Sequence, residues 1–216
     1  MKPDIERIKR ESLTKMYEDA LNGMTDDDII RLLSEVNYLK KQLQSQNDVI
    51  ARLKQEAHQD PLTGLPNRRY FERELDKSLA YHKRYGRLGA LLVIDADDFK
   101  SINDSLGHLA GDAILRHIST LLQKHTRSAD MVSRIGGDEF CIILREVAPE
   151  EAEEKAAQLM QVISSSPCSY DGHEIYISVS IGTCSFGDAR NRRELLERAD
   201  GAMYLSKQSN TAVAAS

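Results

Sequence analysis

The chain is poor in cysteine, and its three, Cys141, Cys168 and Cys184, show no CxxC spacing and cannot all pair. That argues against a disulfide framework and points to a reducing compartment. No apolar run approaches the ~20 residues of a membrane span, and the polar N-terminus is not a signal peptide. There is no basic excess either: Lys and Arg number 29 against 34 Asp and Glu, a net charge of −5. This argues against a general nucleic-acid or membrane-surface binder. Internal repeats are absent, and the sequon at Asn103 counts as chance without a secretory signal. The expectation is a cytoplasmic protein with neither nucleic acid nor membrane as partner. Its 216 residues have room for one domain plus an appendage, with a core that needs no staples.

The appendage comes first. Residues 4–22 suit a helix, with Ile5, Ile8, Met16 and Ala20 roughly on one side, and Asn22-Gly23 stops it. Thr25 then caps a second helix whose first turn is Asp26, Asp27 and Asp28, acids that suit the positive helix end. From Ile29 a heptad runs through Ile29, Val36, Leu43, Ile50 and Ala57 at a, and Leu32, Leu39, Gln46 and Leu53 at d. Mostly β-branched a residues with leucine at d favour a parallel two-stranded coil. Glu35 and Lys40 are placed to pair across it, and Gln46 would fix its register. The alternative is one amphipathic helix lying on its own domain. The expected boundaries are 1–24, 25–58 and 59–216.

Near Asp60 the heptads give way to DPLTGLPNRR (60–69), a segment dense in turn formers. The pattern beyond it predicts helices over 68–85, 98–107, 111–126, 149–164 and 191–208. Strands are predicted over 88–96, 131–135, 139–146 and 174–186, with the middle two joined as a hairpin at Gly136-Gly137. Helices mixed with crossover and hairpin strands imply an α/β sandwich on a mixed sheet.

Two acidic clusters stand out. The buried run LLVI leads straight into Asp95-Ala96-Asp97-Asp98, and the hairpin turn carries Asp138-Glu139. If the hairpin lies beside the 88–96 strand, the clusters converge, and hard cations such as Mg²⁺ take such oxygen ligands. Singly, these acids read as helix caps and a turn residue. Together, at apolar strand ends and beside a double glycine, they read as a metal site. Glycines at 136 and 137 would admit a bulky ligand. The helix after Asp98 would aim its first amides at the cluster, with Lys100 adding a cation. Carboxylates and a helix N-terminus suggest a nucleoside triphosphate with Mg²⁺ and phosphoryl-transfer chemistry.

These segments resemble the GGDEF family of diguanylate cyclases, which condense two GTP into cyclic di-GMP. The resemblance covers about residues 59–209. It rests on DPLTGLPNRR (60–69), DADDFKSINDSLGHLAGD (95–112), RIGGDEF (134–140), ISVSIG (177–182) and ADGAMYLSK (199–207), in that order. It implies a palm-like αβ sandwich related to adenylyl cyclases and polymerases. It also implies Mg²⁺, replaceable by Mn²⁺, on Asp95, the Ala96 carbonyl and Asp138. Both Asp138 and Glu139 stand as candidates to assist deprotonation of the attacking hydroxyl. Asn103 and Asp112 match the guanine contacts, and a carboxylate at 112 suits the N1–H and N2–H₂ donors that guanine has and adenine lacks. His108 is a candidate for shaping the base pocket or a structural residue. The amides of Asp98, Phe99 and Lys100 would cradle the terminal phosphates, with the Lys100 and Lys207 side chains neutralising charge. Gly136 and Gly137 would clear space for substrate.

One departure is visible. The family commonly follows its late lysine with Gly-Arg-Asn, whereas Lys207 leads into QSNTAVAAS, a tail read as disordered. Arg127 and Asp130 in RSAD match the RxxD site at which product binds and restrains many such cyclases; a bland ion pair at a helix end is the alternative. Each domain of the family holds one GTP, so the resemblance implies a homodimer. The coil then sets whether two sites can meet, and a regulatory protein could act on the N-terminal helices. Two other readings compete: a degenerate receptor for cyclic di-GMP, and a scaffold whose N-terminal helices bind another protein.

Overall fold

The computed structural model describes residues 14–15 and 24–214, with side chains described except at 51–57 and 209–214. The chain divides into two compact units, Met1–Lys54 and Gln55–Ser216. Thr14 and Lys15 are helical; the rest of the helix expected over 4–22 lies outside the described residues.

Helix α1 (Asp26–His58) begins where its caps dictate. The Asp28 amide donates to the Thr25 hydroxyl at 3.3 Å, while the Thr25 amide and hydroxyl donate to the Asp28 carboxylate at 3.0 and 2.6 Å. This reciprocal pair satisfies orphan donors of the first turn. Along the heptad, Ile29, Leu32, Val36, Leu39, Leu43 and Ile50 are all exposed on the single chain. Leu53 and Ala57, the last seam positions, lie outside the described side chains. Among the described residues no helix is long and apolar enough to cross a membrane.

The second unit is built on strand β1 (Gly89–Ala96), buried on both faces as its apolar run predicts. Strands β2 (Met131–Arg134), β3 (Glu139–Arg145) and β6 (Val179–Ser185) complete a sheet in the order β2-β3-β1-β6. All three ladders are antiparallel. The mixture expected of this sheet therefore lies in its connections. Helical crossovers join β1 to β2 and β3 to β6, each pair parallel but separated by one antiparallel strand, as in a split βαβ arrangement. Asp171-Gly172, with φ of 49° and 77°, turns a separate hairpin of β4 (Cys168–Tyr170) and β5 (His173–Ile175).

That hairpin corrects the single strand expected over 174–186. The run divides because β5 pairs with β4 in a sheet of its own while β6 pairs with β1, and at the start of the second run the Ser178 carbonyl accepts the Asp97 amide at 3.0 Å. The tail also differs from expectation: α6 (Arg192–Ala214) runs on beyond Lys207. No glycine or proline interrupts SNTAVA, so nothing local stops the helix.

Helices cover both faces. On one, α4 (His108–Lys124) and α5 (Pro149–Ser165) bring Ile114, Ile118, Leu122, Leu159 and Ile163 against Leu92, Ile94, Phe140 and Ile142. On the other, α2 (Arg68–Tyr85) and α6 bring Phe71, Leu75, Leu195, Ala199 and Met203 against Leu91, Val93, Cys141 and Ile143. Alternate residues of β1 serve the two cores, as the period of two requires. Burying each large side chain contributes about 1.5–3 kcal/mol. Helix α6 lies close on the sheet at Gly182, where a Cβ would stand 2.1 Å from both the Ala199 carbonyl oxygen and the Met203 amide nitrogen.

Candidate active site

Strand β1 delivers Asp95 and Ala96 to the sheet's edge, and the β2–β3 hairpin delivers Asp138 and Glu139 beside them. Asp95 is the cross-strand partner of Glu139, and the Ala96 amide donates to the Asp138 carbonyl at 3.2 Å. The two acidic clusters are thus neighbours. Asp95 is half-buried, and burial raises its carboxyl above the usual range, with the negative charges of Asp138 and Asp97 adding to the effect. The Lys207 ammonium, carried in on α6, hydrogen-bonds Asp95 and offsets part of this; the same bond holds the Lys207 pKa up.

Asp97 has a different fate. Its two carboxylate oxygens accept from Ser178 Oγ at 2.6 Å and Ser180 Oγ at 2.7 Å. It ties β1 to β6 and is buried. Asp98 follows with φ 52°, a left-handed turn that aspartate tolerates better than most residues, and helix α3 (Phe99–Leu106) starts at once. The first amides of a helix have no partner within it, so those of Phe99 and Lys100 open the helix beside the acid cluster. The Lys100 side chain is exposed.

Helices α3 and α4 meet at Gly107, whose φ of 84° suits glycine. At this corner a Cβ on Gly111 would stand 2.0 Å from Asn103 Oδ1 and 3.1 Å from the Phe99 ring. Gly111 is therefore the seat of the Asn103 side chain and brings it beside Asp112. Arg116 lies 4.0 Å from the Asp112 carboxylate, and His108 opens α4 exposed to solvent.

The hairpin glycines divide their work. Neither has a positive φ. A Cβ on Gly136 would stand 2.3 Å from Glu139 Oε2, so the space there belongs to the chain's own carboxylate, whereas Gly137 has nothing within 4 Å. Arg134 holds the loop from beneath: its Nε and a terminal nitrogen donate to the Gly137 carbonyl at 3.1 and 2.7 Å, and the other terminal nitrogen pairs with Asp60 at 2.9 Å. Asp60 also accepts from the Thr63 amide and hydroxyl at 2.9 and 2.7 Å. Neither Arg134 nor the Asp97 serines were expected from spacing; their partners are distant in sequence, 74 residues for Arg134 and Asp60.

At the far end of β2, Arg127 is exposed and Asp130 accepts the Arg145 amide at 2.9 Å. Both line a shallow cavity of about 290 Å³ that also includes Gln123, Thr126 and Ser128. Among the described residues no group of three or more acidic, histidine or cysteine side chains converges as a metal cage. The donors at the sheet edge are the Asp95 and Asp138 carboxylates and nearby backbone carbonyls.

Comparison with known proteins bears directly on this edge. The family profile described as "Diguanylate cyclase, GGDEF domain" matches residues 57–212. Among curated proteins the chain is 35% identical over 177 residues to diguanylate cyclase DgcP and 36% identical over 184 residues to diguanylate cyclase TpbB, both of Pseudomonas aeruginosa. The matches cover 82% and 84% of this chain but only 26% and 42% of those proteins. Among solved structures it is similar to the coiled coil and GGDEF domain of DgcB from Caulobacter crescentus in complex with c-di-GMP. That likeness has a TM-score of 0.77 at 26% identity over 82% of this chain and 95% of that one. It is also similar to diguanylate cyclase SiaD in complex with its activator SiaC from Pseudomonas aeruginosa, with a TM-score of 0.69 at 26% identity over 95% of this chain and 81% of that one. A profile match over most of the chain, falling on the unit that carries these acids, decides the matter: the chain belongs to the GGDEF-domain diguanylate cyclase family.

Proposed function

We propose that this chain condenses two GTP into cyclic di-GMP and two pyrophosphates. The observation that carries the reading is the cross-strand meeting of Asp95 with the Asp138-Glu139 turn, in a chain of this family. In each half-reaction a 3′-hydroxyl of one GTP attacks the α-phosphorus of the other. The hydroxyl loses its proton, a phosphodiester bond forms, and pyrophosphate leaves.

The donor set fits a divalent cation. Two carboxylates with surplus negative charge already draw the Lys207 ammonium, and Mg²⁺ characteristically takes one or two carboxylates and fills its shell with water and substrate phosphate. Asp95, the Ala96 carbonyl and Asp138 would hold Mg²⁺ or Mn²⁺, which when bound polarises the α-phosphate and acidifies the attacking hydroxyl. The rest falls to the chain's own groups. Asp138 or Glu139 receives the proton, and Gly137 leaves open space beside them for the nucleotide. The opening amides of α3 and the Lys100 ammonium hold the terminal phosphates. Lys207, released from Asp95, neutralises them further. Asn103 and Asp112 accept from guanine, and His108 borders the base.

The product needs two domains face to face. The exposed seam of α1 supports a parallel homodimer, and the likeness to the coiled-coil form of DgcB adds to that support. The likeness to SiaD, solved in complex with its activator SiaC, supports control by a regulatory protein, for which the N-terminal helices are the proposed contact. Arg127 and Asp130 line a hollow suited to returning product, Arg127 for phosphate and Asp130 for the guanine edge. A cytoplasmic location accords with GTP as substrate. Incubating the nucleotide-free dimer with GTP and Mg²⁺, then separating products by chromatography, tests the reading. Cyclic di-GMP is expected; its absence, with tight binding of added cyclic di-GMP, would leave a receptor instead.

A further inference from the structure

Lys207 reaches the acid cluster because of where α6 is seated. Ala199, Met203 and Lys207 recur at i, i+4 and i+8, one stripe of the helix. The first two are buried and close on Gly182 of β6, the cross-strand partner of Val93 on β1. Asp95 follows Leu91 and Val93 on the face of β1 that α6 covers. From Met203 to Lys207 the helix rises about 6 Å, and from Val93 to Asp95 the strand advances about 6.7 Å. Packing at Gly182 therefore brings the Lys207 ammonium level with Asp95, whose carboxylate accepts its hydrogen bond.

The two partners of this bond differ in freedom. The Asp95 side chain is 13% exposed and that of Lys207 40%. Asp95 is held by its strand, whereas Lys207 ends a flexible four-carbon stem that turns without moving the helix. Asp97 is already bonded to Ser178 and Ser180, and with Asp138 it acts on Lys207 through its charge. An ammonium on Asp95 repels a divalent cation approaching the same carboxylate, at a range and burial where water and salt screen little. A triphosphate reverses this balance, because its oxygens draw the same ammonium away from Asp95.

We infer that Lys207 is the resident counter-ion of the acid cluster: it holds Asp95 against a divalent cation arriving alone and leaves it for the phosphates of a nucleoside triphosphate, so that metal and nucleotide fill the site together. The inference rests on the proposed GTP site and adds how its metal ligands are guarded. A bond that only ties α6 to the sheet would leave metal affinity untouched.

The test counts free Mn²⁺ by electron paramagnetic resonance as it is titrated into the full, nucleotide-free chain. Lys207→Met is expected to bind Mn²⁺ about tenfold tighter than the parent, and Lys207→Arg, which keeps the charge, to stay near the parent. Equal affinity in the parent and Lys207→Met, or weaker binding by that variant, would overturn the inference. Adding Asp138→Ala to Lys207→Met should weaken Mn²⁺ binding. Undiminished binding would place the ion elsewhere and overturn the metal-site reading itself. A second titration, by calorimetry, follows a GTP analogue with a methylene bridge between its α and β phosphorus, in Mn²⁺ and in EDTA. Mn²⁺ is expected to tighten analogue binding several-fold more in the parent than in Lys207→Met. An equal gain in both would also overturn the inference. Should Lys207→Met lose its fold by circular dichroism, Lys207→Gln is read in its place.

Discussion

Arg134 and Asp60, 74 residues apart, are ion-paired at 2.9 Å with side chains only 12% and 18% exposed. Through that pair the turn at the start of the second unit grips the hairpin that carries Asp138. Removing one partner leaves a mostly buried charge uncompensated, so Arg134→Ala is expected to cost roughly 3 kcal/mol in urea denaturation. Arg134→Lys should recover little, since an ammonium lacks the fork that reaches Asp60 and the Gly137 carbonyl together. Burial works against the Asp60 charge, but the bonds from Thr63 and Arg134 outweigh it and hold its pKa below the usual value. With the folded value depressed, its stabilisation is present at neutral pH and is lost as pH falls through the acid range below about 4. The acid limb of a stability–pH profile should flatten in Asp60→Asn.

Asp95 has the opposite sign. Its folded pKa is raised, so keeping it ionised costs stability above that value, and the cost vanishes in acid where both states are protonated. Asp95→Asn is therefore expected to stabilise the apo-protein at neutral pH, by about 1 kcal/mol, while abolishing cyclase activity. The gain should shrink as pH is lowered through the range of Asp95. A destabilised Asn variant would contradict this.

The two signature glycines should separate on mutation. Gly137→Ala meets nothing and has no positive φ, so its stability should stay within about 0.5 kcal/mol of the parent. Any loss of activity there reports on nucleotide approach. Gly136→Ala must displace the Glu139 carboxylate, a flexible end that can move at small cost in stability. Its expected signature is a fall in kcat with a nearly unchanged unfolding midpoint.

Leu39→Asp with Leu43→Asp places two acids in the α1 seam. Mass by sedimentation is expected to fall to the monomer, with cyclase rate falling in step and becoming dependent on protein concentration. An unchanged mass and rate would show that the coil neither holds the dimer nor brings the two domains together.

Much of this was legible in the sequence because it is local. LGALLVIDA reads as a doubly buried strand from its unbroken apolar run, and the heptad from Ile29 reads as a stalk from its spacing. The β4–β5 hairpin carried a usable signal, Asp171-Gly172 between short runs, that a single long strand over 174–186 overrode. The division between β5 and β6 had none, since it depends on which strand each run pairs with in the folded chain. The same holds at the site. Aspartates at strand ends mark Asp95 and Asp138, but only the tertiary structure assigns Asp97 to two serines, Lys207 to Asp95 and Arg134 to Asp60. At 136 and 137 the sequence suggests two glycines with one task, and the fold separates them by what each faces.

In the proposed function Asp138 and Asp95 form one half of a GTP-condensing site. The most direct measurement is the initial rate of cyclic di-GMP formation from GTP and Mg²⁺ by Asp138→Ala beside the parent, both verified as folded and of equal oligomeric mass. Steady product from the parent and none above background from the variant is the expected result. Product from Asp138→Ala at the parental rate would contradict it.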